Sequence, residues 1–198
     1  FKDPNNNTKP RVSGRGVMVS DGGHFIMYGG CVGPNQTTDA GAGVYVAEGG
    51  HFAMYGGEIA GNVEPATGGS TGGGIWTAGT TTIGGSATVT GNRAQAGGGV
   101  YVAGGTLTLE GSAIVKGNTA NNTYGSGVFV GTNGQLCVSG NVQVTGNTYN
   151  SIVGNVYLEA DSNKNIKAIS VVGELTGSAS ICLSLPNDVL NTINDSHS

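Results

Sequence analysis

The sequence predicts an all-β fold: a single-stranded right-handed parallel β-helix, a solenoid of about six coils of 25–31 residues with a C-terminal capping segment. Three observations predict it. A six-residue phrase, GGGVYV at residues 97–102, returns as GRGVMV from Gly14, GAGVYV from Gly41, GGGIWT from Gly72, GSGVFV from Gly125 and, shortened, GNVYL from Gly154. The last glycine before each strand (Gly16, Gly43, Gly74, Gly99, Gly127, Gly154) recurs at intervals of 27, 31, 25, 28 and 27 residues, a solenoid period. Finally, 39 of the 198 residues are glycine and only 10% are charged, without the three-residue period of collagen, which leaves a turn-dense β chain.

Residues 1–13 read as a polar lead-in or part of an N-terminal cap. The coils occupy residues 14–158, and the repeated phrase opens each one. Its flanking positions, Val17/Val19, Val44/Val46, Ile75/Thr77, Val100/Val102, Val128/Val130 and Val156/Leu158, are aliphatic in all cases but Thr77. The position between them holds Met18, Tyr45, Trp76, Tyr101, Phe129 and Tyr157. Side chains alternate faces along a strand, so one set points in and the other out. Placing the aliphatic set inside buries two columns instead of one, each side chain contributing roughly 1.5–3 kcal/mol if fully covered. The aromatic column is then expected outside.

Coil one continues through a turn at Asp21-Gly22-Gly23, a second strand over 24–28, and a short third strand at Cys31-Val32 ahead of Pro34-Asn35. Coil two copies it through Glu48-Gly49-Gly50, HFAMY and Glu58-Ile59 to Gly61-Asn62. Coils three to five keep the scheme with second strands at 81–83, 107–109 and 136–138. Their third strands end at Val89, Val115 and Val144, each three residues before an Asn. The pairs Gly61-Asn62, Gly91-Asn92, Gly117-Asn118 and Gly146-Asn147 therefore share one corner. Asn at a repeated corner suits a left-handed backbone and a ladder of side-chain amide hydrogen bonds. Right-handed coiling is expected because left-handed helices of this kind usually keep shorter, more regular sides.

Coil length varies mainly after that corner. Asn62 to Gly74 spans 12 residues, whereas Asn92 to Gly99 and Asn147 to Gly154 span 7. Insertions in a solenoid gather on one side, often the working one, which marks residues 63–71 (VEPATGGST) as the leading loop. The repeat decays after Leu158. Residues 159–185 read as cap strands that cover the open end, and 186–198 as a polar tail.

The net charge of −4, with 8 basic residues scattered singly, provides no basic stripe, so no nucleic-acid partner is expected. No apolar run reaches the length of a membrane span, so no membrane insertion is expected. Cys31, Cys137 and Cys182 are odd in number and badly spaced for zinc. They read as small buried residues of the stack, with a Cys137–Cys182 disulfide as the alternative. No cofactor is expected. The acids are dispersed and the arginines are only Arg11, Arg15 and Arg93, which gives no carboxylate pair or acid-plus-base cluster for glycan cleavage, so the chain reads as a non-enzyme.

Two local constellations point to binding. Asp21, His24, Glu48 and His51 occupy matching places in adjacent coils and form a candidate divalent-metal set, against the simpler reading of two copied surface turns. Tyr45, Trp76, Tyr101, Phe129 and Tyr157 form a candidate ligand-binding stripe for sugars or a protein partner, unless the rings serve to stack on one another. Asp161-x-Asn163-x-Asn165 opens like a calcium loop, but Ile166 replaces the glycine at position six and Val172 the glutamate at position twelve, so it is set aside.

GGGVYV, a following strand and a Gly-Asn corner together resemble the β-helix repeats of large surface proteins of Gram-positive gut bacteria. They are more distantly similar to the GGAI and FxxN repeats of chlamydial polymorphic outer-membrane proteins. Residues 155–186 resemble the closing segment of such repeat blocks. The resemblance implies a secreted or wall-associated protein, adhesive or structural. The chain carries no sorting motif, so anchoring and further domains are expected from elsewhere. The function expected is a non-enzymatic adhesin or adhesin stalk, with a host glycan or host surface protein as partner. The alternatives are a carbohydrate-active β-helix enzyme and a purely structural spacer, and fold alone does not choose among them.

Overall fold

The computed structural model describes residues 14–65, 69–121, 125–167 and 169–184. They form a parallel β-solenoid of about six turns, with no helix among them. The repeated phrase builds the first sheet, of seven strands: Val17–Val19, Val44–Val46, Ile75–Thr77, Val100–Val102, Val128–Val130, Val156–Leu158 and Leu183–Ser184. A second sheet of six strands runs His24–Met27, His51–Met54, Thr80–Ile83, Thr106–Leu109, Gln135–Gly140 and Ser170–Leu175. The third, also of six, contains Cys31–Val32, Glu58–Ala60, Thr88–Thr90, Ile114–Lys116, Gln143–Thr145 and Ser180–Ile181. In the first sheet each strand pairs in parallel with its equivalent one coil away, position for position; the second sheet shifts register once, between Val138 and Gly140.

The aliphatic columns lie inside as expected: Val44, Val46, Ile75, Val100, Val102 and Val128 are fully buried, joined by Phe52, Leu107, Leu109, Ile59, Val89 and Val115 from the other sheets. Thr77, the exception in the aliphatic column, is buried too. Thr81 occupies an inward place on the adjoining strand and donates its hydroxyl hydrogen to Thr77 Oγ1 at 2.9 Å, while the Thr77 hydroxyl donates to Gly79 O at 3.4 Å, so both buried hydroxyls are partnered.

The corner asparagines form the expected ladder inside the coil. The Nδ2 of Asn35, Asn62, Asn92 and Asn118 each donates to the Oδ1 of the next coil's Asn at 2.9–3.0 Å, and each backbone N–H reaches the same oxygen at 3.0 Å. The second amide hydrogen goes back to a carbonyl of the preceding coil, Ile59 O for Asn92 and Val89 O for Asn118. Asn155 closes the run by accepting from Asn147. One expectation fails here: the left-handed residue is the glycine before each Asn (Gly61, Gly91, Gly117 and Gly146, φ 61–65°), because glycine meets no Cβ penalty there.

The ladder explains the anchor glycines. A Cβ on Gly99 would stand 2.5 Å from the Gly127 carbonyl oxygen and 2.9 Å from Asn118 Nδ2, and Gly74 and Gly127 are equally tight. The asparagines pack where a side chain would otherwise be.

Three further features add to the sequence reading or differ from it. A fourth sheet, with strands Arg93–Ala94, Thr119–Ala120, Thr148–Tyr149 and the antiparallel Ile152–Val153, follows the Asn corner, so these coils have more than three sides. Within the segment read as cap strands, Ser170–Leu175 and Ser180–Ile181 pair in parallel with the preceding coil and complete coil six, and Leu183–Ser184 begins another turn. The cysteines are not buried core residues. Cys31 and Cys182 are exposed, Cys137 is partly so, and all three are free. Cys31 stands opposite Glu58 and Cys137 opposite Thr108, both outward positions, while Val32 and Val138 take the inward ones.

Candidate functional site

The aromatic column lies on the outer face of the first sheet, but it is not an open platform. Tyr45, Trp76, Tyr101 and Tyr157 are half-buried and Phe129 is buried at 5% exposure. The coil spacing puts equivalent rings one strand apart, and they stack: Tyr45 on Trp76 at 4.6 Å and 1°, Tyr101 on Phe129 at 4.8 Å and 7°, Phe129 on Tyr157 at 5.1 Å and 28°. The Arg15 guanidinium covers the outer face of Tyr45 at 4.6 Å. A sugar stacks on a ring face, and here the faces turn toward neighbouring coils while the edges meet solvent. Burial and the nearby Glu159 carboxylate raise the Tyr101 phenol above its ordinary range.

The second constellation comes only half together. His24 and His51 pair in register and their exposed rings stack at 4.5 Å and 6°. Asp21 and Glu48 do not join them: among the described residues no group of three His, Cys, Asp or Glu side chains is placed to hold a metal. Flat stacking is itself unsuited to chelation. Imidazole lone pairs lie in the ring plane, so in two nearly parallel rings they run side by side instead of converging on one ion. The pair instead borders a shallow groove of about 160 Å³ with Ile26, Ala53 and Thr82 on its floor. The Asp161 turn is likewise self-contained: its carboxylate accepts from the Asn163 and Asn165 backbone N–H groups, which with the Asn165 side chain hold it below the usual carboxylate range.

The third place is the long-loop corner. Of residues 63–71, positions 66–68 lie outside the described residues; the rest crosses the corner against both neighbouring coils. Val63 bridges Gln36 on one side and Arg93 on the other, and Thr71 bridges Ala96. The Gln95 N–H donates to Ser70 O, and the Ser70 hydroxyl donates to Thr38 O. Alternation then divides the strand-like start of the loop. Val63 and Pro65 face outward and, with Gln36 and Arg93, line an open depression of about 470 Å³.

Glu64 faces inward and is fully buried. Its Oε1 accepts from the Gly41 N–H at 3.0 Å, while Oε2 is buried without a partner among the described residues. Burial pushes its carboxyl up to about 8, against the opposing pull of the Gly41 and Ala42 amides and the Arg15 charge. Sequence reasoning marked this loop but missed Glu64, Gln36 and Arg93 as a group. A signal existed: by register Glu64 stands in an inward column that otherwise contains Thr37, Ala94 and Ala120, where an acid is out of place.

Among the described residues no helix is long and apolar enough to cross a membrane. Comparison with family models, with curated proteins and with solved structures returned no match.

Proposed function

We propose that this chain is a non-enzymatic module of a secreted or wall-associated bacterial surface protein, a stiff stalk that also presents a ligand-binding corner to a glycan or host surface protein. The observation that supports it is the continuity of the internal ladder. An asparagine ladder from Asn35 to Asn155 ties each coil to the next, and on the outer face rings stack in two stretches, Tyr45 on Trp76 and Tyr101 through Phe129 to Tyr157. Such a stack commits its side chains to lengthwise cohesion and leaves variation to the corner loops, the division of labour of a display scaffold. The aromatic column then belongs to the stalk, and the depression beside Val63 is the place for a ligand.

The experiment is binding of the purified chain to a broad glycan array that includes mucin and plant polysaccharides, with product analysis of every hit. Saturable binding without cleavage is the expected result. Released oligosaccharide products overturn the non-enzymatic reading. Silence on the array leaves the stalk and removes the glycan partner.

A further inference from the structure

We propose that the corner depression is a subsite for a carboxylated sugar, with Arg93 gripping the carboxylate of a uronate or sialate residue. This rests on the glycan-binding part of the function proposed above and adds a substrate class and a binding residue to it.

The two arginines among the described residues are used differently. Arg15 is committed: its Nε donates to Ala40 O at 2.8 Å, its Nη2 lies 3.7 Å from Asp39 and its guanidinium lies over Tyr45. Arg93 is exposed at the outward position of its strand, with Ala94 buried beside it. Among the described residues it makes no ion pair, and it lines an open depression of about 470 Å³ on the corner surface. The nearest acid in the loop does not neutralise it from within, because Glu64 points to the other face and burial favours its uncharged form.

The remaining lining fits a sugar acid. A guanidinium matches a planar carboxylate with two parallel N–H···O bonds, which a neutral sugar cannot accept in that form. Gln36 supplies an amide able to donate to and accept from ring hydroxyls. It stands two coils from Arg93 in register, roughly 10 Å along the stack. Val63 and Pro65 between them offer an apolar strip for the C–H face of the ring. Beyond Arg93 the outward column continues with half-buried Thr119 and Thr148, hydroxyl-bearing positions for the next unit of a chain.

The test is isothermal titration of the whole chain with trigalacturonate and with sialyllactose, beside methyl-esterified trigalacturonate and lactose as neutral counterparts. At least one acid sugar is expected to bind about tenfold or more tightly than its neutral counterpart. Arg93→Ala should abolish that preference and Arg93→Lys restore only part of it, with thermal melting unchanged in both because Arg93 is exposed. A preference for trigalacturonate assigns the source to plant polysaccharide, and one for sialyllactose to host mucin. Equal binding of acid and neutral sugars, or an undiminished preference in Arg93→Ala, overturns the subsite while glycan binding survives. Silence toward all four sugars overturns the subsite, and if the array is silent too the glycan reading falls with it.

Discussion

A carboxyl with one oxygen hydrogen-bonded and the other left alone in the interior is costly to ionise, and Glu64 is in that position. Its folded value of about 8 lies above the ordinary 4.5, so folding favours the protonated form. The stability that form contributes is complete below about pH 4.5 and is lost as pH rises through about 8, a change on the order of 5 kcal/mol. Glu64→Gln keeps the shape and removes the charge. Urea unfolding of this variant should show it more stable than the native chain by a few kcal/mol at pH 8, with little difference at pH 4.5. Parallel pH profiles for the two proteins would mean that Glu64 ionises inside the fold without cost. At the same scale, the asparagines show the opposite condition: Asn92 and Asn118 are fully buried yet satisfied on both sides, which is how so polar a column can stand in the core.

The strands are short, most of two to four residues, and hold because each is repeated one coil away with the same face inward. What fixes the coil between them is the pairing of an anchor glycine with a corner asparagine. The two kinds of glycine in a coil should therefore respond differently to alanine. At Gly91 a Cβ meets nothing within 4 Å, and the cost is that of a left-handed φ of 62°, about 1–2 kcal/mol. At Gly99 the φ is ordinary, but the Cβ would strike the Gly127 carbonyl and the Asn118 amide. Gly99→Ala should lower the melting temperature more than Gly91→Ala, since it must move backbone and break ladder bonds; the reverse order would remove the steric coupling. The ring column obeys the same lengthwise logic. Phe129→Ala takes a buried ring from between Tyr101 and Tyr157 and should cost roughly 3 kcal/mol of unfolding free energy, with no change in affinity for a ligand seated at the Arg93 corner.

At the scale of the molecule, each coil touches only its neighbours, so protection should be greatest in the middle and fall toward the ends. The last turn already shows this. Val171 occupies the inward register of Val138 and Leu183 that of Val156, yet they are 61% and 48% exposed, where their partners are buried. Amide hydrogen exchange should find Ser170–Leu175 exchanging well before Val100–Val102 and Thr106–Leu109 in the central coil. Uniform exchange along the rod would show a single cooperative unit instead.

The sequence by itself determined the repeat, the inward and outward columns and the asparagine corner, because these are periodic and a parallel stack copies a periodic pattern directly into space. It did not determine the fourth sheet, whose strands are too short and varied to show a period, nor that Ser170–Leu175, Ser180–Ile181 and Leu183–Ser184 pair in parallel with the coil before them. The site was legible only as a loop of unusual length. Tertiary structure alone decided that the aromatic faces are used by one another, that His24 and His51 stack without Asp21 and Glu48 closing around them, and that Arg93 and Gln36 share a depression while Glu64 lies beneath it. Each of those depends on side-chain direction and on contacts across coils 23 to 57 residues apart in sequence, which no local pattern encodes.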